Sequence, residues 1–201
     1  MARIPRTVKI VISFLAVAIT AVVYLATQSQ LAKAVPASFN DARMQGALIS
    51  QTIVDLSNKL QGDLGQVNEL DKNKKTAEAL ELTSKLIEQS QEIRRQAVDL
   101  SKEMETMAKS LPEIQSEEAR LAAVNAISSR LLLINKLVSY SSYLTELLET
   151  LRNRFAGSAV SQEQVGALIE KVNAEVTAIN NFNRQASASM ERFDQLIKTG
   201  R

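Results

Sequence analysis

Residues 121–155 carry the strongest periodic pattern in the chain and constrain its fold more than any other stretch. Apolar residues recur there at steps of three and four, which places them on one side of an α-helix. They form two neighbouring rows, so the apolar face is wide enough to contact two or three other helices. We therefore expect this helix to be the most deeply buried one of a bundle. The first row holds Leu131, Ile134, Val138, Leu148 and Phe155, and the second holds Leu133, Leu137, Tyr140, Leu144, Leu147 and Leu151.

Three further segments show a helical spacing of apolar residues and complete an all-α prediction. Pro112 separates two of them because proline disfavours helix at the residue before it, and Gly157 is a suitable C-terminal cap. Residues 71–75 interrupt the apolar pattern without Gly or Pro, so one long continuous helix is the alternative to a turn there. Short connections favour antiparallel neighbours and hence an up-down-up-down four-helix bundle. The predicted helices cover approximately residues 40–70, 75–110, 113–156 and 161–199.

The N-terminal segment, residues 1–35, has the pattern of a transmembrane helix with its flanks. Residues 10–32 carry no charge, and about 20 apolar residues are enough to cross a bilayer as a helix. Arg3, Arg6 and Lys9 precede that stretch, and a basic flank stays in the cytoplasm. We therefore expect a single-pass protein of the bacterial cytoplasmic (inner) membrane. Its N-terminus would lie inside and its bundle domain outside, in the periplasm.

An alternative is that this segment is a signal peptide removed after Ala34. Small residues flank Lys33 there and fit the usual cleavage pattern. A retained signal-anchor is the preferred interpretation because the apolar core is long for a signal peptide. Both interpretations place residues 36–201 outside the cytoplasm as an extracytoplasmic four-helix bundle.

Composition excludes several functional classes. The chain contains no Cys, no His and no Trp, so it has no disulfide, no thiolate or imidazole metal site and no Ser-His-Asp triad. No Gly-rich phosphate loop or nucleophile motif is present. The formal net charge is only +2, and acidic and basic residues alternate outside the N-terminal segment, which does not resemble a nucleic-acid-binding surface. We expect no enzyme activity, no cofactor and no nucleic-acid partner.

One predicted layer of the bundle core is polar. Ser90 and Asn183 fall level with Leu56 and Ile134, and two more asparagines lie nearby. A buried polar layer can fix the register of packed helices, as single Asn residues do in coiled coils. The alternative is a pocket for a small polar ligand. The predicted polar core layer consists of Ser90, Asn135, Asn180 and Asn183.

The same register predicts an exposed apolar tip at one end of the bundle. It places Leu70 level with Leu148, so the third and fourth helices extend about eight residues, or ~12 Å, beyond the first two. A two-helix hairpin cannot cover all the apolar residues of that overhang, which predicts a partner-binding surface with Phe155 as its anchor. The alternative is that the turn at residues 71–75 covers the tip. The predicted partner-binding residues are Leu151, Phe155, Val160, Val165 and Leu168.

A predicted anchor followed by an extracytoplasmic four-helix bundle resembles the sensor module of bacterial chemoreceptors and also the LemA-type membrane proteins. The resemblance covers the architecture alone, so no site residue carries over from either family. It implies small-molecule sensing or binding as an alternative function. The preferred expectation is a structural or accessory subunit that contacts another membrane protein, an extracytoplasmic protein or a second copy of itself.

Overall fold

The computed structural model describes residues 35–199, and every regular element in that range is helical. The all-α prediction is therefore confirmed. The predicted transmembrane helix at residues 10–32 lies outside the described residues. Within the described range there are four α-helices and one short 3₁₀ turn. They are α1 (Ala37–Lys72), α2 (Thr76–Ser110), the 3₁₀ turn Leu111–Glu113, α3 (Glu117–Phe155) and α4 (Gln162–Thr199).

A left-handed residue closes the turn between α1 and α2. Lys74 has a φ of 58°, and the Lys75 N–H donates to the Leu70 carbonyl at 2.9 Å. That bond spans five residues and satisfies a carbonyl at the end of α1, as in a Schellman motif. Two separate helices therefore replace the single long helix that the sequence left open.

The start of α3 and its end are set by different capping groups. The Ser116 hydroxyl accepts the Ala119 N–H at 3.2 Å, so α3 begins at Glu117 rather than directly after Pro112. At the other end Gly157 has a φ of 93°, which confirms it as the left-handed residue after the helix.

Consecutive helices pack side by side along their length. The beginning of α1 meets the end of α2, where the Ser38 and Ser110 hydroxyls lie 2.7 Å apart. The α1 and α4 helices meet mainly through side chains. Arg43 forms a bidentate ion pair with Asp194, with both nitrogen–oxygen distances 2.7 Å. Two phenylalanine rings lie beside it with centroids 5.2 Å apart, Phe39 and Phe193.

The core runs through the whole length of the bundle. All four helices contribute to it, and the largest side chains that are fully buried come from every one of them or from the connection before α3. Because each is removed from water, each contributes roughly 1.5–3 kcal/mol of hydrophobic stabilisation. These residues are Phe39, Ile53, Leu60, Leu86, Ile93, Met104, Met107, Ile114, Leu137, Tyr140 and Phe193.

Among the described helices, α3 is the one that is long and apolar enough to cross a membrane by length and composition alone. Its packing accounts for part of that character, because α3 contacts both α2 and α4. The exposed apolar residues Leu121, Val124, Leu131 and Leu132 account for another part. A helix with two buried flanks needs apolar residues around most of its circumference.

The apolar row predicted for α3 is wrong at one position. Leu131 was expected in the core but is 46% exposed. Its neighbour Arg130 takes the inward position, with 5% exposure. Ile127, Ile134 and Leu137 lie on the same side of the helix and are buried, so Arg130 fits their spacing better than Leu131 does.

Candidate functional site

The tip that was predicted to bind a partner is covered. Leu151, Phe155, Val165 and Leu168 are buried, and Val160 is partly buried against the same core. The prediction of an exposed apolar surface at the tip is therefore wrong. These residues stabilise the end of the bundle in the described structure.

The physical reason is a shift in register between the two helical hairpins. Asp71 was expected level with residue 149, but its carboxylate pairs with Arg154, about 7 Å farther along α3. The α1–α2 hairpin therefore reaches the tip and covers it. The Arg154 guanidinium also lies 5.3 Å from the centroid of the Phe155 ring, which is within range of a cation–π contact.

A small apolar cavity of about 50 Å³ lies just below the tip, between α1, α3 and α4. Leucine, valine and isoleucine side chains form most of its wall. A cavity without converging polar groups offers water few hydrogen-bond partners and is suited to apolar groups. Its lining consists of Leu64, Val67, Asn68, Leu144, Leu147, Leu151, Val165, Ile169, Val172 and Asn173.

The four residues of the predicted polar layer lie in different surroundings. Asn135 is exposed, which corrects its assignment to the core. Asn180 is half-buried, and its Oδ1 atom has no hydrogen-bond partner. Ser90 and Asn183 are both buried as expected. They contact different groups, so the described structure does not assemble the four residues into one layer.

Ser90 belongs to a hydroxyl cluster that joins α2 to α3. Its hydroxyl donates to the Ser141 carbonyl at 3.1 Å and lies 3.1 Å from the Thr145 hydroxyl. Ser141 returns a hydrogen bond to the Ser90 carbonyl at 2.6 Å. Because Ser141 lies two turns beyond Ile134, the residue expected beside Ser90, this cluster marks a shift in register in the same direction. Its reciprocal bonds fix one alignment of the two helices.

Asn183 lies at a second cavity, of about 20 Å³, beside the buried Arg130. The Arg130 Nε atom has no hydrogen-bond partner, and no described residue forms an ion pair with its guanidinium. Burial first, and the neighbouring Arg43 second, lower the pKa of Arg130 to about 10. It remains cationic at neutral pH. The cavity is lined by Ser50, Ile53, Leu100, Arg130, Leu133, Leu137 and Asn183.

Sequence reasoning missed Arg130 because it assigned the inward position to the more hydrophobic neighbour. The signal was present, since Arg130 lies three residues after Ile127 and seven before Leu137. A charged residue in an apolar row with that spacing is a candidate for a buried site.

Large apolar side chains are exposed only toward one end of the described bundle, the end where residue 35 lies. Leu121 is 61% exposed, and the others are between 37% and 59% exposed. All of them lie within about 22 Å of the helix ends at that side, measured at 1.5 Å per residue. They are Met44, Leu48, Val98, Leu121, Val124, Leu131 and Leu132.

Comparison with known proteins adds no assignment to these features. No family model, curated protein or solved structure matches the chain. Within residues 35–199 there is also no group of three acidic side chains close enough together to hold a metal ion.

Proposed function

We propose that this chain is a non-enzymatic accessory subunit held at the outer face of a bacterial cytoplasmic membrane. Residues 10–32 form its single membrane span, and the bundle stands in the periplasm. Its partner is another membrane or extracytoplasmic protein, or a second copy of the chain. The support for an anchor is the uncharged stretch after three basic residues, which has the length and flanks of a membrane span.

An up-down-up-down arrangement of the four helices is part of this proposal. It is supported by hydrogen bonds and ion pairs in which early residues of one helix contact late residues of the neighbouring helix. The hydroxyl of Ser38, near the start of α1, contacts that of Ser110, at the end of α2. Asp63, later in α1, accepts a hydrogen bond from Gln89, earlier in α2. Arg43, near the start of α1, pairs with Asp194 near the end of α4.

The observation that carries the proposed role is a strip of exposed apolar side chains on α3, at the end of the bundle nearest the predicted anchor. Leu121, Val124, Leu131 and Leu132 lie on the outward face of α3. Met44 and Leu48 are exposed on α1, which packs closely against α2 and not against α3. Apolar groups concentrated on one region of a surface mark a contact with another protein. Their position next to the membrane suits a neighbour that is itself held in that membrane.

The test is photo-crosslinking of the full-length protein in its native membrane from position 121 or 132. We expect crosslinks to one partner, and a product of twice the chain mass would identify a second copy. The double variant Leu121→Ser and Leu132→Ser should weaken that association about tenfold or more. Its melting temperature should not change, because both side chains are already exposed.

The matched control changes two exposed residues on α3 at the opposite end, Glu146→Ser and Glu149→Ser. It should leave the crosslinks intact. Equal crosslinking from the control positions and from positions 121 and 132 would contradict the proposed surface.

A small-molecule sensor or binding module is the second candidate function. One observation favours it, namely the buried cation beside a cavity at Arg130 and Asn183. The proposed protein-contact surface lies on the outside of α3 and the cavity lies inside the bundle, so the two are testable separately.

A further inference from the structure

We propose that the Arg130 cavity binds a small monovalent anion, a carboxylate group or a halide, inside the bundle. All four helices contribute side chains to the wall of this cavity, and these side chains are buried. It does not depend on the accessory role, and it gives the sensor candidate a chemical class of ligand.

The first argument is the unbalanced charge of Arg130. A cation removed from water is costly unless an anion and hydrogen-bond acceptors replace the lost hydration. Arg130 is 5% exposed, and its Nε–H has no acceptor. The guanidinium presents up to five donors in a planar fork, which suits an anion that accepts several hydrogen bonds.

The second argument concerns Arg43, the charged residue that acts on Arg130, and its partner Asp194. Both oxygens of Asp194 accept hydrogen bonds from Arg43, at 2.7 Å each. Arg43 is also the charged group that disfavours the cationic form of Arg130. Asp194 is therefore engaged by Arg43, and a single monovalent anion neutralises the one positive charge of Arg130.

The third argument is the size and lining of the cavity. A volume of about 20 Å³ has room for a group of about the size of one water molecule, such as a halide or the head of a short carboxylate. The Asn183 amide is the polar group on its wall that can donate to an anion, since the Ser50 hydroxyl already donates to the Gly46 carbonyl at 2.7 Å. Apart from Arg130, the rest of the lining is aliphatic. Larger, multiply charged anions are disfavoured because the surroundings neutralise only one negative charge.

The experiment measures the melting temperature of the full-length protein in detergent with sodium formate or sodium chloride. Sodium gluconate, whose anion is too large for the cavity, keeps the ionic strength constant. We expect a saturable rise with one or both probes, of about 5–10 °C at a hundredfold excess over half-saturation. A rise with formate alone identifies a carboxylate site, and a rise with chloride as well identifies a site of halide size.

The variant Arg130→Met should melt higher than wild type in gluconate, because an unpaired buried charge is removed. It should show no response to formate or chloride. The matched control is Arg94→Met, since Arg94 is exposed on α2; this variant should respond as wild type does.

The variant Asn183→Leu decides the question if Arg130→Met does not fold. It fills the cavity and keeps the guanidinium, so the half-saturating concentration should rise at least about tenfold. The proposal is overturned if wild type responds no more to formate and chloride than to gluconate, or if Asn183→Leu responds as wild type does. The Leu121→Ser and Leu132→Ser variant should keep the anion response, which separates this result from the fate of the accessory role.

Discussion

Three glycines in α1 have different surroundings. A Cβ atom at Gly46 would lie 3.3 Å from a Leu100 methyl carbon and 3.4 Å from the Met104 methyl carbon, so this glycine lets α1 approach α2 closely. A Cβ atom at Gly62 or Gly65 would meet nothing within 4 Å. At those two positions glycine lowers helix stability without any packing reason.

We predict that Gly62→Ala and Gly65→Ala each raise the free energy of unfolding by about 1 kcal/mol. The cause is the smaller conformational entropy of alanine in the unfolded chain. Chemical denaturation measures the change. Gly46→Ala is the internal comparison and should bring little or no gain, because its new methyl group presses on Leu100 and Met104. Equal gains at all three positions would contradict this account.

The charge of Arg130 explains why the candidate anion site was missed in the sequence although the spacing of Arg130 was visible there. Apolar spacing correctly identified Ile134 and Leu137 as core residues, and it identified Asn183 as a buried polar residue. It failed at Arg130 because hydrophobic burial was taken to favour Leu131. The backbone direction of a helix decides which of two adjacent residues points inward, and the chemical preference of one side chain does not override it.

The elements themselves were easier to predict than their alignment. Pro112 and Gly157 mark chain reversals through local chemistry, so the helices of the described range could be located from sequence. Register between the two hairpins depends on contacts between distant residues. The pairing of Asp71 with Arg154 and of Ser90 with Ser141 leaves no local pattern. Shifting these helices by one or two turns still matches apolar rows, because the rows repeat every three to four residues.

We predict that Phe155→Ser and Leu168→Ser each lower the free energy of unfolding by about 3 kcal/mol. Each change removes a buried apolar side chain at the tip and leaves a cavity with a polar group. Thermal and chemical denaturation measure the loss. Leu121→Ser is the exposed comparison and should change stability by no more than about 0.5 kcal/mol. If the melting temperature were unchanged and association with a partner were lost, the tip would be a docking surface and this prediction would be wrong.

At the scale of the whole molecule, the proposed topology depends on whether the N-terminal segment is retained. A retained anchor holds the exposed apolar residues of α3 beside the bilayer. Cleavage would release the same bundle as a soluble protein, and its exposed leucines would then face a soluble partner or a second copy. The accessory role at a membrane therefore requires the uncleaved chain.

We predict that the mature protein keeps residues 10–32. Intact-mass measurement of the protein extracted from membranes should give a chain that starts at residue 1 or 2, because a basic flank and a long apolar core are typical of a retained anchor. A mass that corresponds to a start at Val35, recovered from the soluble fraction, would contradict the anchor.

Because α1 and α4 contact each other mainly through side chains, the bundle opens most easily between these two helices. The other neighbouring pairs have closely packed backbones, whereas the described contacts between α1 and α4 are made by side chains, among them the Arg43–Asp194 ion pair and the rings of Phe39 and Phe193. Local opening favours the interface with the fewest buried contacts. Both cavities have walls from α1 and α4. Brief separation of these two helices therefore provides a route by which solvent and small solutes exchange with the interior while α2 and α3 stay paired.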